Sequence, residues 1–428
     1  MIVSITEFCE HDCNERRNSI PLIRPAFHPK YLVSLFVLVL VLAGACAPGV
    51  AKPHGWASGV IHDGKLYKGT TDGRLVAIDI AKDGKPIARY ELDEGKENKR
   101  AVYGNPVYSD GFSYEDGDEE YTGLIFVSGY DGYLYGIDPT PDGDELSLVW
   151  NREVGDSEAG STLVGGPAAG NGIVVVGSSD GYVYAYDVEN EDELWRYKTG
   201  NKIWSTPTIH GDVVYIGSLD KNLYALRLTG SDREVDERLL WSYQTNGAIT
   251  AKPLVVGNRV FFGSFDNNFY ALNTTSGTLV WKFEGAKNWY WTGAVFHRDT
   301  IFVPSMDKKL YALDINTGVE KWTLETEGAF TGSPGILSNW IAIGSDDQNL
   351  YFANLDDGED VEKCRIGERL RSDLVTDGDT VYVSTWDHAV VAVRMKENGR
   401  PDSLWRHVTN KGDDWKEKWR DSKGKDLC

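Results

Sequence analysis

The chain has 428 residues, 41% of them apolar, with 44 Lys+Arg against 65 Asp+Glu and a net charge of −21. That apolar share supplies a core and excludes a disordered polymer. The charge excludes a nucleic-acid interface, which needs a clustered basic footprint, and adsorption to anionic lipid.

The first element is a leader. Residues 31–45 (YLVSLFVLVLVLAGA) form an apolar run preceded by Arg24 and Lys30. It is short for a bilayer span and fits a signal-peptide core. The run ends Leu42-Ala43-Gly44-Ala45-Cys46, which is similar to a bacterial lipobox, with Cys46 as the lipidated first residue. Ordinary cleavage after Ala43-Gly44-Ala45 is the other reading, and the Cys immediately after the small residues favours the lipobox. The stretch before the run departs from a usual leader, because it is long and carries Glu7, Glu10, Asp12 and Glu15. The expected division is a lipoprotein signal peptide over 1–45, a linker over 46–55, a repeat domain over 56–408 and a tail over 409–428.

The repeat domain carries one motif eight times: GTTDGRLVAID (69–79), GYDGYLYGID (129–138), GSSDGYVYAYD (177–187), GSLDKNLYALR (217–227), GSFDNNFYALN (263–273), PSMDKKLYALD (304–314), GSDDQNLYFAN (344–354) and STWDHAVVAVR (384–394). Its aspartates are Asp72, Asp131, Asp180, Asp220, Asp266, Asp307, Asp347 and Asp387, with spacings of 59, 49, 40, 46, 41, 40 and 40 residues. A floor of 40 with occasional excess is a fixed unit with loop insertions. In 203–245, Ser205–Ile209 reads as strand A, Val213–Gly217 as B and Leu223–Leu226 as C, and Trp241 starts D. Asp220-Lys221-Asn222 makes the B–C hairpin, and other copies use Asp-Gly or Asn-Asn, which tolerate positive φ. Four short antiparallel strands per unit cannot bury both sheet faces alone, so eight units close into an all-β, eight-bladed β-propeller. The excess of Gly (46), Tyr (22) and Trp (14) is this repeat multiplied. A residue present once per blade serves the blade, so the eight aspartates read as hairpin acceptors rather than a metal array. Val361-Glu362-Lys363-Cys364 lines up with Val319-Glu320-Lys321-Trp322 and puts Cys364 in a packing position.

Three insertions hold irregular acid: 111–122 and 139–147 lengthen the A–B and C–D loops of blade 2, and 228–240 the C–D loop of blade 4. All three are expected on one face. On the other face, the start of strand A is expected near the axis, held by Ala57, Tyr103, Val164, Trp204, Thr250, Trp291, Thr331 and Arg371. Trp56, Trp289 and Phe330 stand beside them. The candidate ligand mouth is therefore Tyr103, Trp204, Trp291 and Phe330, with Lys252, Arg371 and Asp373 supplying charge. Such a ring suits a flat ligand, a sugar or an extended peptide; packing between blades is the alternative use of the same aromatics. In the tail, Trp415 and Trp419 lie four apart, and Cys428 could meet Cys364 in an oxidising compartment, a pairing the spacing leaves open.

The pattern Gly-x-x-Asp-x-x-Leu-Tyr-Ala-Leu-Asp followed by Thr-Gly-x-x-x-Trp, near-ideal over Asp314–Trp322, resembles the repeat of the pyrroloquinoline-quinone (PQQ) propellers. That resemblance implies the quinoprotein alcohol dehydrogenase-like fold over roughly 56–408. It leaves two functions open, since the superfamily holds PQQ- and Ca²⁺-dependent dehydrogenases as well as non-catalytic proteins such as the lipoprotein of the outer-membrane β-barrel assembly machinery. The chain lacks a vicinal Cys-Cys, a Cys-x-x-Cys-His haem motif and long insertions, which favours the non-catalytic branch. For PQQ with calcium, Asn105 and Asp373 are available at the mouth and a matching Glu is not evident. The expectation is an exported, lipid-anchored, monomeric ring at the cell surface or in the periplasm. It would bind an envelope protein or peptide, carry no cofactor or metal, and touch the membrane only through its N-terminal lipid. A PQQ oxidoreductase and a glycan- or ligand-binding sensor are the alternatives.

Overall fold

Each repeat folds into its own antiparallel sheet of four consecutive strands, A to D, giving eight sheets. The blades run over residues 60–91, 107–153, 168–198, 208–244, 254–283, 295–325, 335–365 and 375–408. The computed structural model describes residues 57–82, 84–92, 101–116, 119–155, 161–230, 235–386, 388–409 and 428. The leader, Cys46, Trp56, Asp387, Trp415 and Trp419 lie outside the described residues. In blade 4, strand A is Thr208–His210, B is Val213–Gly217, C is Asn222–Arg227 and D is Leu239–Gln244. Strand A starts later than its sequence suggests, and D starts two residues before Trp241.

Side chains alternate across a strand, and each side meets a different neighbour. Val214 and Ile216 pack on Val175 and Ala185 of blade 3. Tyr215 between them packs on Val260 and Phe262 of blade 5. Strands B and C therefore carry buried apolar residues on both faces, as expected for sheets covered on both sides. Eight buried clusters result, one at each junction between adjacent blades. The last joins Leu66, Val76 and Ile78 of blade 1 to Tyr382, Val390, Ala392 and Trp405 of blade 8. Among the described residues the ring thus closes by side-chain packing, with no strand exchanged between its first and last blades.

The recurrent small residue of strand C stands opposite the recurrent Trp of strand D: Ala185↔Trp195, Ala225↔Trp241, Ala271↔Trp281, Ala312↔Trp322 and Ala392↔Trp405. A β-bulge follows each of these pairs. The ring then reaches into the next blade. The Trp281 indole N–H donates to the Ile315 carbonyl at 3.0 Å, and Trp241 and Trp195 donate likewise to Thr274 and Leu228. Gly318, at φ +71°, leaves room for that indole: a Cβ there would meet Trp281 at 2.6 Å. Gly84 of blade 1 receives Trp405 of blade 8 in the same way.

Blade 7 departs from this pattern. Its ladder pairs Leu350 with Cys364 and Phe352 with Glu362, with no bulge. In blade 6 the corresponding pairs are Leu310↔Leu324 and Ala312↔Trp322. Cys364 therefore occupies the place of Leu324, two residues on from the Trp position its flanking sequence suggests, and it is fully buried. Phe352 on strand C supplies the bulk that the Trp-bearing blades place on strand D. Cys364 is joined to Cys428 by a disulfide, with Cα atoms 4.3 Å apart.

Two of the insertions contain regular secondary structure. In blade 2, strands Val107–Asp116 and Glu119–Ser128 extend as a hairpin, pairing Tyr114↔Tyr121 and Asp116↔Glu119. In blade 4, a one-turn helix, Val235–Arg238, ends on Arg238, which is buried over the Trp195 ring of blade 3 at 4.5 Å. Its guanidinium donates to the carbonyls of Arg227 and Gly230.

Candidate functional site

The repeat aspartates join the hairpin to the loop entering from the preceding blade. In Asp266, Oδ1 accepts from the Asn268 N–H at 3.0 Å, while Oδ2 accepts from the Tyr270 hydroxyl at 2.7 Å and the Asn246 N–H at 2.9 Å. Asp220, Asp307 and Asp347 repeat all three bonds. Asp180 accepts from Tyr182 N–H, the Tyr184 hydroxyl and Ser161, and Asp131 from Tyr133 N–H and the Tyr135 hydroxyl. Asp72 has no Tyr four residues on; it accepts from Thr70 and pairs with Arg74. Burial, reinforced by the adjacent carboxylate, pushes the phenols of Tyr184, Tyr224, Tyr270, Tyr311 and Tyr351 well up, so each stays a donor. These bonds put the D–A loops and B–C turns on one face and spread the aspartates around its rim rather than gathering them.

The mouth on that face is built from residues of the D–A loops four positions before strand A and from the residue before each repeat aspartate. Tyr103 packs edge-on against Tyr130, ring centroids 5.1 Å apart. Phe265 lies between Trp289 and Trp291, stacked at 4.9 and 5.5 Å. Arg371 makes a bidentate pair with Asp346 at 2.9 and 3.1 Å and sits over Trp386 at 4.8 Å. Tyr130, Phe265, Asp346 and Trp386 escaped the sequence reading, although each stands directly before its repeat aspartate. Trp204 is half-buried and Lys252 exposed.

Phe330 departs from its expected place at the mouth. It is fully buried between blades 6 and 7 against Phe302 and Ile341, so it does not line the mouth. Its aligned partners Val102, Leu163, Ile203, Ile249, Tyr290 and Leu370 are equally buried. That column sits one residue before the mouth column, and the two-residue period of an extended chain turns it into the core.

At the axis, Asp373 gathers polar groups from three other blades. Oδ1 accepts from the Thr292 hydroxyl at 3.0 Å and the Ser333 N–H at 2.6 Å, and Oδ2 accepts from the Asn105 amide at 2.6 Å. Asn105 Oδ1 in turn accepts from the Ser58 N–H at 2.8 Å. The three described donors to this carboxylate are neutral groups of the protein. Among the described residues no group of three or more His, Cys, Asp or Glu is placed to hold a metal ion. The opposite face, made of A–B and C–D loops, carries acids such as Asp142, Asp144, Asp357 and Asp360. It also holds an open cleft of about 850 Å³ between blades 8 and 1, lined by Ile80, Ala81, Asp377, Asp379, Arg394 and Glu397 among others.

The family model described as outer membrane protein assembly factor BamB matches residues 130–233, 228–325 and 286–412. The BamB protein of Nitrosomonas eutropha is 28% identical over 162 residues, 38% of this chain and 33% of that protein. Methanol dehydrogenase subunit 1 of Paracoccus denitrificans is 29% identical over 167 residues, 37% of this chain and 25% of that protein. The matched segments thus span a third or less of these curated relatives. The crystal structure of BamB from Moraxella catarrhalis superposes with a TM-score of 0.62 at 16% identity, covering 80% of this chain and 94% of that one. A computationally designed protein, Ika8, superposes at 0.61, also at 16% identity, over 80% and 99%. These structural likenesses show the fold, and the family match runs through blades 2 to 8 over more than half of the sequence. The chain therefore belongs to the PQQ-like propeller family described as outer membrane protein assembly factor BamB.

Proposed function

We propose that this chain is an exported, non-catalytic propeller that holds a protein partner in the cell envelope. The observation that carries this reading is the family match across residues 130–412, whose description names outer-membrane protein assembly. The mouth supports it. Its aromatic side chains are half-buried on a rigid ring, and the carboxylates of Asp346 and Asp373 are already engaged by neighbouring side chains. That is a surface for docking side chains rather than for turning over a substrate. The leader and Cys46 support delivery across a membrane and tethering by an N-terminal lipid. Capture of cross-linked envelope partners tests the function: barrel-assembly proteins support it, and an absence of protein partners with soluble sugars retained favours a glycan sensor instead. The mass of the mature N-terminus tests the anchor, which an unmodified Cys46 would refute.

The quinoprotein relatives favour a second reading, a PQQ-dependent oxidoreductase. Titration with PQQ at millimolar Ca²⁺ tests it, and an unchanged visible spectrum ends it.

A further inference from the structure

The seam between blades 8 and 1 differs from the other junctions in three ways. Its two blades are not consecutive in the chain, and among the described residues they meet by packing and by contacts such as Thr71 Oγ1 to His388 Nδ1 at 3.2 Å. The open cleft beside Ile80 and Tyr382 lies along it. Its interior contains two ionisable side chains, Lys68 and His407, each 2% exposed. A terminal unit of a repeat ring, packed on one side against such a seam, is the first to open.

The disulfide bears on that same unit. Cys364 lies in the last strand of blade 7, and Cys428 is the last residue of the chain. The loop they close contains all four strands of blade 8: Val375–Asp377, Thr380–Ser384, Ala389–Met395 and Pro401–Val408. We propose that the Cys364–Cys428 disulfide locks the ring: it ties blade 8 to blade 7 at both ends, so that thiol redox state decides whether the seam can open. Cys364 is fully buried in the junction between blades 7 and 8, while Cys428 is exposed. Closing the lock joins the two Sγ atoms. Two thiol protons and two electrons leave, and a disulfide-bearing oxidant takes them up as its own bond breaks to two thiols.

The experiment is hydrogen exchange on the full-length chain, oxidised and then reduced with dithiothreitol, alongside Cys428→Ser. Intact mass under denaturing conditions first reads the bond as a loss of two hydrogens. Reduction is expected to speed exchange about tenfold or more in strands B and C of blade 8 and in Lys65–Gly69 of blade 1, leaving blades 4 and 5 unchanged. Cys428→Ser, which changes only an exposed end residue, should show the reduced pattern without reductant. Two free thiols at 364 and 428 after export and purification would overturn the proposal, as would identical exchange at the seam in all three samples. Uniform acceleration around the whole ring would overturn it too, since that is general destabilisation rather than a lock.

Discussion

Asp266 shows what a repeated residue does in this ring. One carboxylate accepts from its own hairpin, from the Tyr270 hydroxyl and from the Asn246 N–H of the incoming loop, so it fixes both a turn and a junction. Asp266→Ala removes all three acceptor contacts and should cost about 2 kcal/mol, more than Tyr270→Phe, which removes one. Urea midpoints decide this, and a change below about 0.5 kcal/mol for Asp266→Ala would contradict the role. Gly318 makes the matching case for packing. Its φ is +71° and the Trp281 ring occupies the space a Cβ would take, so Gly318→Ala should cost more than about 1 kcal/mol. Wild-type stability in that variant would mean that the indole does not rest on the neighbouring blade. At this scale the sequence was informative wherever a residue recurs and misleading where parity mattered. Phe330 is aromatic and stands next to the mouth column, yet extended backbone turns it inward.

Among elements, the seam strands carry the sharpest pH prediction. His407, on strand D of blade 8, is buried, and desolvation together with the Lys68 charge lowers its pKa from the ordinary 6.5 to about 4. Between those values the unfolded chain takes up a proton that the folded chain refuses. Stability therefore falls as pH falls from 6.5 toward 4, by on the order of 3 kcal/mol from this group. His407→Gln should flatten that slope. Unfolding midpoints at pH 7 and pH 4.5 test it, and equal pH dependence in both proteins would remove His407 from the account. Elsewhere the strands were legible because the Asp-centred hairpin and the Ala-opposite-Trp pairing recur about every forty residues. Blade 7 was misread by two residues because it lacks the bulge and carries its bulk on Phe352. The 111–122 insertion reads as an acidic loop by composition, but its backbone continues strands A and B as a hairpin.

For the whole molecule, eight junction cores explain how residues 60–408 fold around one ring. The disulfide closes a loop of 64 residues and, through the restricted unfolded chain, contributes about 4 kcal/mol. The fold was legible because repetition makes each signal visible eight times. The mouth was less legible, because it is assembled from two columns of the repeat that vary from blade to blade, and only one of them was recognised. The central claim is that this ring is a docking platform in the envelope. Its most direct test is a photoreactive side chain in place of the exposed Lys252 at the axis, activated in intact cells. The account predicts a cross-link to an outer-membrane assembly protein, weakened by Trp291→Ala. No protein cross-link, together with PQQ- and Ca²⁺-dependent alcohol oxidation by the purified chain, would contradict it.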